Sequence, residues 1–283
     1  MAKGIYFGVA AKARKVKKLY FGVGGVARKV KKIYFGVNGV ARLCYTGSVP
    51  AGQVIFTSSQ VWKVPDGITK IDVFCVGGGG GSPYSNSRMG AGGGGGGYTK
   101  TLLNATVTPG QQISVEVGAG GFGYAGSDGS SSSFGSLLIA AGGKRPTTYD
   151  GGYEFFKGGA GGSGGGDGGG MNYPNSTLSI ETSGYSDGQG YLGQGVTTRA
   201  FAEGGGTIYA GGGGGGSTSS NVNKAGGLGG GGAGGQGRGG NKQAGTAGTP
   251  NTGGGAGGHG KEAYIHEGVA GGSGVVIVRW AEQ

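Results

Sequence analysis

Residues 54–81 read VIFTSSQVWKVPDGITKIDVFCVGGGGG, and the point at which apolar residues give way to five consecutive glycines sets the fold. Trp62, Val64, Ile68, Ile71, Val73 and Cys75, or their neighbours, recur at strand-like spacing, broken by the turn signal Pro65-Asp66-Gly67. Working outward, further strands are expected over 98–107, over 111–118 after Thr108-Pro109-Gly110, over 134–143, and in the closing VVIVRW at 275–280. No stretch carries a convincing helical period. These strands suit a small β-sandwich, so the expected fold class is all-β with an irregular glycine-rich lobe. The expected organisation is basic repeats over 1–46, a sandwich frame over 47–141, a glycine-rich lobe over 142–274 and a closing strand over 275–283.

Glycine dominates beyond residue 76: 71 of the 81 glycines lie between Gly77 and Gly274. Glycine and serine enrichment without a strict period is the signature of a disordered chain, and glycine costs more than other residues to order. Order therefore requires a compensating lattice of hydrogen bonds. Extended left-handed helices of the polyproline type make no internal backbone bonds, but runs free of side chains pack closely enough to bond one another sideways. The runs at 158–170, 210–216, 225–240 and 253–260 supply the material. Between them stand long, distinct and often aromatic inserts at 82–89, 144–157, 171–203, 217–224 and 241–252, which a flexible linker does not need. An ordered lobe is expected. Valine at Gly164–Gly166 or Gly229–Gly232 should force its backbones apart, whereas Ser219 and Asn221, in an insert, should tolerate change.

The first 46 residues repeat with a period of 14: IYFGVAAKARKVKK from Ile5, LYFGVGGVARKVKK from Leu19 and IYFGVNGVARLCYT from Ile33. Gly24-Gly25 and Asn38-Gly39 suit two-residue hairpin turns, and Ala10-Ala11 holds that place in the first copy. One turn per 14 residues leaves about 12 per strand, which reads as an up-and-down meander of long strands. The apolar face switches at Lys31-Lys32, through a bulge or through a strand that bends from one sheet to another. All 11 charges up to Arg42 are basic, and the rest of the chain balances 13 basic against 13 acidic residues. The net charge of +11 thus belongs to the repeats. Their lysines are either a solvated face that protects an edge or a docking surface for an acidic partner.

Catalytic and metal-binding patterns fail on inspection. Gly255, Gly260 and Lys261 imitate the start of a phosphate-binding loop, but Glu262 stands where Ser or Thr must ligate magnesium. His259 and His266 lack a ligand cluster at metal spacing, and nothing marks a nucleophile elbow. A non-enzymatic chain without cofactor or metal is expected. The two cysteines, Cys44 and Cys75, read as free thiols rather than a disulfide framework. With no apolar run of membrane-spanning or signal-peptide length, synthesis in a cytoplasm without membrane insertion is expected. Basic residues interleaved with Tyr and Phe raise nucleic-acid binding, but the metered charge and neutral body argue against it.

The run from Trp62 to Gly81, GAGGGGGGYTKT at 90–101, TPGQQISVEVGAGG at 108–121 and AGGSGVVIVRW at 270–280 resemble the glycine-rich domain of bacteriophage and prophage tail proteins. KKIYFGVNGVAR at 31–42 resembles the N-terminal repeats of such proteins in phages of Gram-positive bacteria. In composition the chain is also similar to the tail-fibre tip adhesins of T-even-like phages, whose lobe stacks polyglycine II helices and presents variable loops to a receptor. The resemblance implies a virion tail component, made in the bacterial cytoplasm, that acts as a receptor-binding adhesin. Its implied partners are other phage tail proteins and a host cell-surface glycan or protein; the alternative is a purely structural tail or head decoration. Candidate receptor contacts are Tyr149, Tyr153, Phe155, Phe156, Tyr173, Tyr185 and Tyr191, because aromatic rings offer large contact area at low entropy cost. The competing reading, in which these rings pack between glycine helices, stays open. Lys15, Lys17, Lys18, Arg28, Lys29, Lys31 and Lys32 are the candidates for virion attachment, and three near-identical copies suit a homotrimer or a cap on a trimeric partner.

Overall fold

Short strands separated by turns make up the framework: β1 (Tyr6–Val9), β2 (Lys12–Lys15), β3 (Tyr20–Val23), β4 (Val26–Lys29), β5 (Lys32–Val37), β6 (Val40–Thr46), β7 (Gly52–Phe56), β8 (Gln60–Lys63), β9 (Lys70–Val76), β10 (Thr99–Thr106), β11 (Gln112–Glu116), β12 (Ser132–Phe134), β13 (Leu138–Ala140), β14 (Thr147–Asp150), β15 (Tyr153–Lys157), β16 (Gly170–Asn172), β17 (Ser176–Leu178) and β18 (Val275–Trp280), with a 3₁₀ turn over Ala200–Ala202. The computed structural model describes residues 6–283 except 10–11, 17, 38, 47–48, 86–88, 151–152, 173–175, 179, 191, 219–222, 238–242 and 262–266. The class is all-β with antiparallel sheets, as the alternation implied.

Two four-stranded sheets, ordered β10-β9-β18-β7 and β13-β12-β11-β8, face each other across a core that includes Phe56, Trp62, Val64, Ile71, Val73, Cys75, Phe134, Val276 and Val278. Trp62 anchors it, 5.8 Å from Phe134 and 6.4 Å from both Phe56 and Trp280 by ring centroids. β11, QISVE, alternates exposed and buried because its outer face meets water. β9 and β18 are near-continuous apolar runs for a different reason. They are the central strands of their sheet, and their second face is covered by Phe201, Tyr209 and Ala210, which pack on Phe74, Val76, Val275 and Ile277. The run expected as one strand over 134–143 is instead the β12–β13 hairpin, folded back after Gly135 at φ +52°.

At Gly77 the sheet becomes something else. Down Gly77–Ser82 successive N–H groups donate to Tyr98, Ser130, Gly272, Gly95, Ser127 and Val269 carbonyls, at 2.8–3.0 Å. Every third residue thus returns to the same neighbour. The rod 90–98 behaves alike: Gly93 and Gly96 donate to Gly166 and Ser163, Gly94 and Gly97 to Ala256 and Gly253, Gly95 and Tyr98 to Lys144 and Ala141. Its carbonyls accept from three further segments, through Gly80, from Gly159 and Gly162, and from Gly213 and Gly216. Six segments therefore surround this rod, where a β-strand has two neighbours. Glycine is required by proximity: a Cβ on Gly93, Gly94, Gly96 or Gly97 would lie 2.0–2.2 Å from a neighbouring carbonyl oxygen. The rod 211–217 repeats the pattern, donating at every third residue to 229–235, to 182–185 and to 91–94. Buried Ser132 stands at the junction of sandwich and rods, its Oγ donating to Val76 O at 2.6 Å and accepting from Gly118 N at 2.9 Å.

The N-terminal repeats do not form the expected meander of long strands. They make three separate two-stranded hairpins, β1–β2, β3–β4 and β5–β6. Gly24 and Gly25, at φ +59° and +78°, close the middle one, where both central residues of a primed turn need positive φ. Between Lys29 and Lys32 the chain leaves one hairpin and enters the next, so the phase switch in the sequence is a passage between sheets. Ala10-Ala11 lies outside the described residues, as does Asn38.

Candidate functional site

The rods have two ends. Gly77, Tyr98 and Gly274 continue into β9, β10 and β18 at the near end, while Ser82, Gly90, Ser217 and Gly260 lie toward the far end. The chain turns back at the far end between Ser82 and Gly90, between Gly121 and Ser127, between Lys144 and Gly158 and between Ser217 and Ala225. These connections are the inserts that interrupt glycine in the sequence. Their ends are clamped because the rods that carry them are bonded to several neighbours at once.

The largest far-end feature is a sheet ordered β14-β15-β16-β17, which grows from the rods ending at Lys144, Gly158 and Gly169. It carries four of the seven aromatic candidates. Tyr149 stands opposite Phe155 in the register, Phe156 opposite Thr148 and Tyr153 opposite Asn172. Phe156 is half-buried, and a Cβ on Gly92 would come within 3.2 Å of the Phe156 Cβ. Its carbonyl accepts from Gly168 N at 2.8 Å, so Phe156 packs the root of the sheet against the lattice. Tyr185 is 40% exposed but belongs to the near end, where its ring lies against Gly190. The candidates therefore do not converge on one patch. Tyr173 and Tyr191 lie outside the described residues.

Sequence reasoning passed over a second aromatic group at the far end. Tyr84 and Tyr124 stack with ring centroids 4.1 Å apart and planes 17° from parallel, and Tyr84 N donates to Tyr124 O at 3.0 Å. Phe122 and Tyr124 are 54% and 55% exposed. The available signal was FGYAG at 122–126, two aromatic residues inside a glycine turn that no strand pattern claims. Beside it Asp128 accepts from Lys144 Nζ at 2.9 Å and from Arg145 N at 3.0 Å. Partial burial pushes the Asp128 carboxyl up, but the bonds from Arg145 and Lys144 outweigh it and hold its pKa below the usual range.

The basic candidates sit on the hairpins. Lys15 pairs with Tyr6, Arg28 with Phe21 and Lys29 with Tyr20. Every residue of β3 and β4 is exposed, Phe21 at 63% and Val26 at 59% among them, and Lys31 between the hairpins is exposed too. Lys18 reaches Glu282 at 4.0 Å, and Lys32 pairs with Asp66 of the sandwich. That hydrogen bond raises the Lys32 pKa and lowers that of Asp66. Lys17 lies outside the described residues.

Two reactive groups among the described residues, Cys75 and His259, are locked. Cys75 is buried in the sandwich core, where desolvation pushes its thiol up to about 12. His259 is buried, its Nε2 2.9 Å from Glu267 O, and burial lowers its pKa. Gly255–Lys261 is a lattice rod, with Gly255, Gly258 and Lys261 bonded to Gly211, Gly214 and Ser217; Glu262 and His266 lie outside the described residues. Among the described residues no group of three or more His, Cys, Asp or Glu side chains is placed to hold a metal, and no helix is long and apolar enough to cross a membrane.

No curated protein matches the chain. A family model described as a glycine-rich domain matches residues 55–281, from within β7 through the whole rod lattice to the residue after β18, and the chain belongs to that glycine-rich domain family.

Proposed function

We propose that the protein is a receptor-binding adhesin of a bacteriophage tail that attaches the particle to a Gram-positive host cell and is fixed to the virion by its basic N-terminal hairpins. The observation that carries this reading is the lattice with its far-end inserts. In it, segments bond to neighbours with a period of three, the arrangement expected of packed polyglycine II helices. Such a lattice needs no side chains of its own, so it holds loop ends rigidly while leaving loop sequence free. A rigid frame lowers the entropy cost of recognition. The hairpins suit an anchor because two-stranded ribbons are marginal alone, and β3–β4, exposed on both faces, gains stability against a partner. The adhesin is then made in the host cytoplasm and acts in the virion tail, with other tail proteins and a host glycan or protein as partners.

The test is binding of the purified full-length chain to host cells together with competition against phage adsorption. Saturable binding that blocks adsorption supports the reading. No binding and no effect on adsorption, with the protein still present in particles, leaves a structural virion role instead.

A further inference from the structure

Beyond the N-terminal hairpins, Phe122, Tyr124 and Tyr185 are large aromatic side chains at least 40% exposed. Two of the three share one five-residue turn, and that turn is built rather than loose. Gly126 N donates to Gly123 O at 2.8 Å, Phe122 N to Ser127 Oγ at 2.9 Å, and Arg145 Nη1 to Gly126 O at 3.3 Å. A Cβ on Gly268 would lie 2.1 Å from Gly123 O, so the turn is also wedged against the segment entering the last rod. Tyr84, from a different insert, supports the Tyr124 ring by the 4.1 Å stack. The two hydroxyls are hydrogen-bonded to each other, which raises the Tyr124 pKa. Tyr124 remains more than half exposed even with that support.

We propose that Phe122 and the Tyr84–Tyr124 pair form a platform for a neutral saccharide, a site that rests on the adhesin reading for its biological role but not for its chemistry. Flat rings at the surface offer an apolar face for the C–H side of a pyranose, and the phenol pair, with one hydroxyl donating to the other, keeps one O–H and its oxygen lone pairs for the hydroxyls of a sugar. Charge decides against an anionic ligand: Lys144 is paired with Asp128 at 2.9 Å, and Arg145 is tied to Asp128 through its N–H and to Gly126 O through its guanidinium. Both of these cations are engaged within the protein, and a carboxylate sits between them. Because these bonds fix the turn, and the stack fixes the Tyr124 ring, before any ligand arrives, little conformational entropy is lost on binding.

The experiment uses the full-length chain on an array of neutral oligosaccharides of hexoses and N-acetylhexosamines, with glycerol-phosphate polymers as the anionic arm, followed by calorimetric titration of the best binder. Phe122→Ala and Tyr124→Ala are each expected to weaken saccharide binding about tenfold, Tyr124→Phe less so, and Tyr185→Ala not at all. Unfolding midpoints equal to the parent's show that the exposed truncations leave the fold intact. Binding confined to the anionic arm overturns the proposal, as does saccharide binding that survives the Phe122→Ala/Tyr124→Ala double variant. If the wild-type chain binds host cells but no neutral saccharide, the platform falls and the adhesin reading stands. If it binds neither, both fall.

Discussion

Alanine at Gly94 and alanine at Gly164 should have opposite effects, although both glycines sit inside long runs. A Cβ on Gly94 would stand 2.0 Å from Gly80 O and 2.6 Å from its carbonyl carbon. Carbon and oxygen tolerate about 3.3 Å, so the rods 77–82 and 90–98 would have to separate by about 1.3 Å. The same two rods share the Gly80 N to Gly95 O bond at 2.8 Å, and Gly80 O accepts from Ala256 N at 3.0 Å. Moving rod 77–82 that far breaks both of these bonds in a buried site. Each broken bond costs about 1–3 kcal/mol and the overpacking about 1–3 kcal/mol more, for a total of about 3–9 kcal/mol against the ~5–15 kcal/mol that holds a typical domain together. Gly164 differs, since its added Cβ meets nothing nearer than Gly193 N at 3.5 Å and its φ lies outside the left-handed region. Alanine there should stabilise by about 0.4–1 kcal/mol by restricting the unfolded chain. Urea unfolding followed by tryptophan fluorescence measures both, and amide exchange at Gly95 and Gly97 reports the lattice directly. A Gly94→Ala protein within 1 kcal/mol of the parent, or a Gly164→Ala protein as damaged as Gly94→Ala, would refute the close-packed lattice.

Arg279→Met should loosen the 200–203 turn, because the guanidinium lies 3.8 Å over the Phe201 ring and 3.1 Å from Asp72; a loss of about 1 kcal/mol in unfolding free energy and faster exchange at Glu203 N are expected. The Asp187 carboxyl is held below the usual range by its bonds from Thr197, from Arg199 and from Thr198 N, so its contribution is present above the unfolded value of about 4 and lost as pH falls through the folded one. Asp187→Asn should flatten the stability profile between pH 5 and pH 2. Burial lowers the His259 pKa, so the unfolded chain takes up the proton first and stability should fall as pH drops below about 6.5; His259→Gln should remove that slope in pH-dependent urea unfolding. Cys75, pushed up to about 12 and buried, should resist iodoacetamide at pH 8 in the native protein and react on unfolding, as peptide mapping will show.

The sandwich was legible because its strands obey period two and are bounded by Pro-Asp-Gly and Thr-Pro-Gly turns. Its partner strand β18 was legible as a continuous apolar run, although nothing local says that Phe201 and Tyr209 cover its second face. The glycine runs announced a lattice but not its addresses. A residue with no side chain carries no information about which of six neighbours it meets, so Gly164 and Gly165 read alike in sequence. In the structure they differ: a Cβ on Gly165 would be 2.2 Å from Gly93 O. The β14–β17 sheet was missed because its strands are three to five residues long and lie among glycine-rich inserts, where alternation is too brief to count. The repeats failed for the opposite reason. The Gly24-Gly25 turn was correct, but 14 residues of periodic sequence suggested one long strand per turn, whereas the break between Lys29 and Lys32 divides the chain into separate hairpins.

The change at Gly77 explains how one chain combines two kinds of stability. Up to Val76 the strand is held by its side chains, with Ile71, Val73 and Cys75 in the sandwich core and Phe74 and Val76 packed with Phe201 and Tyr209, so the sequence is constrained by what each residue buries. Beyond it the chain turns through thirds, each N–H finds a different neighbour, and the constraint becomes the absence of a side chain rather than its identity. Core burial cannot compensate for errors there, because the rods have almost no apolar surface to bury. Their cohesion is the backbone hydrogen bond, which in a site closed to water is costly to leave unmade. An insert whose ends enter such a lattice inherits its rigidity without contributing to it, so residues such as Tyr84, Phe122 and Tyr124 are free to be chosen for what they touch outside the protein.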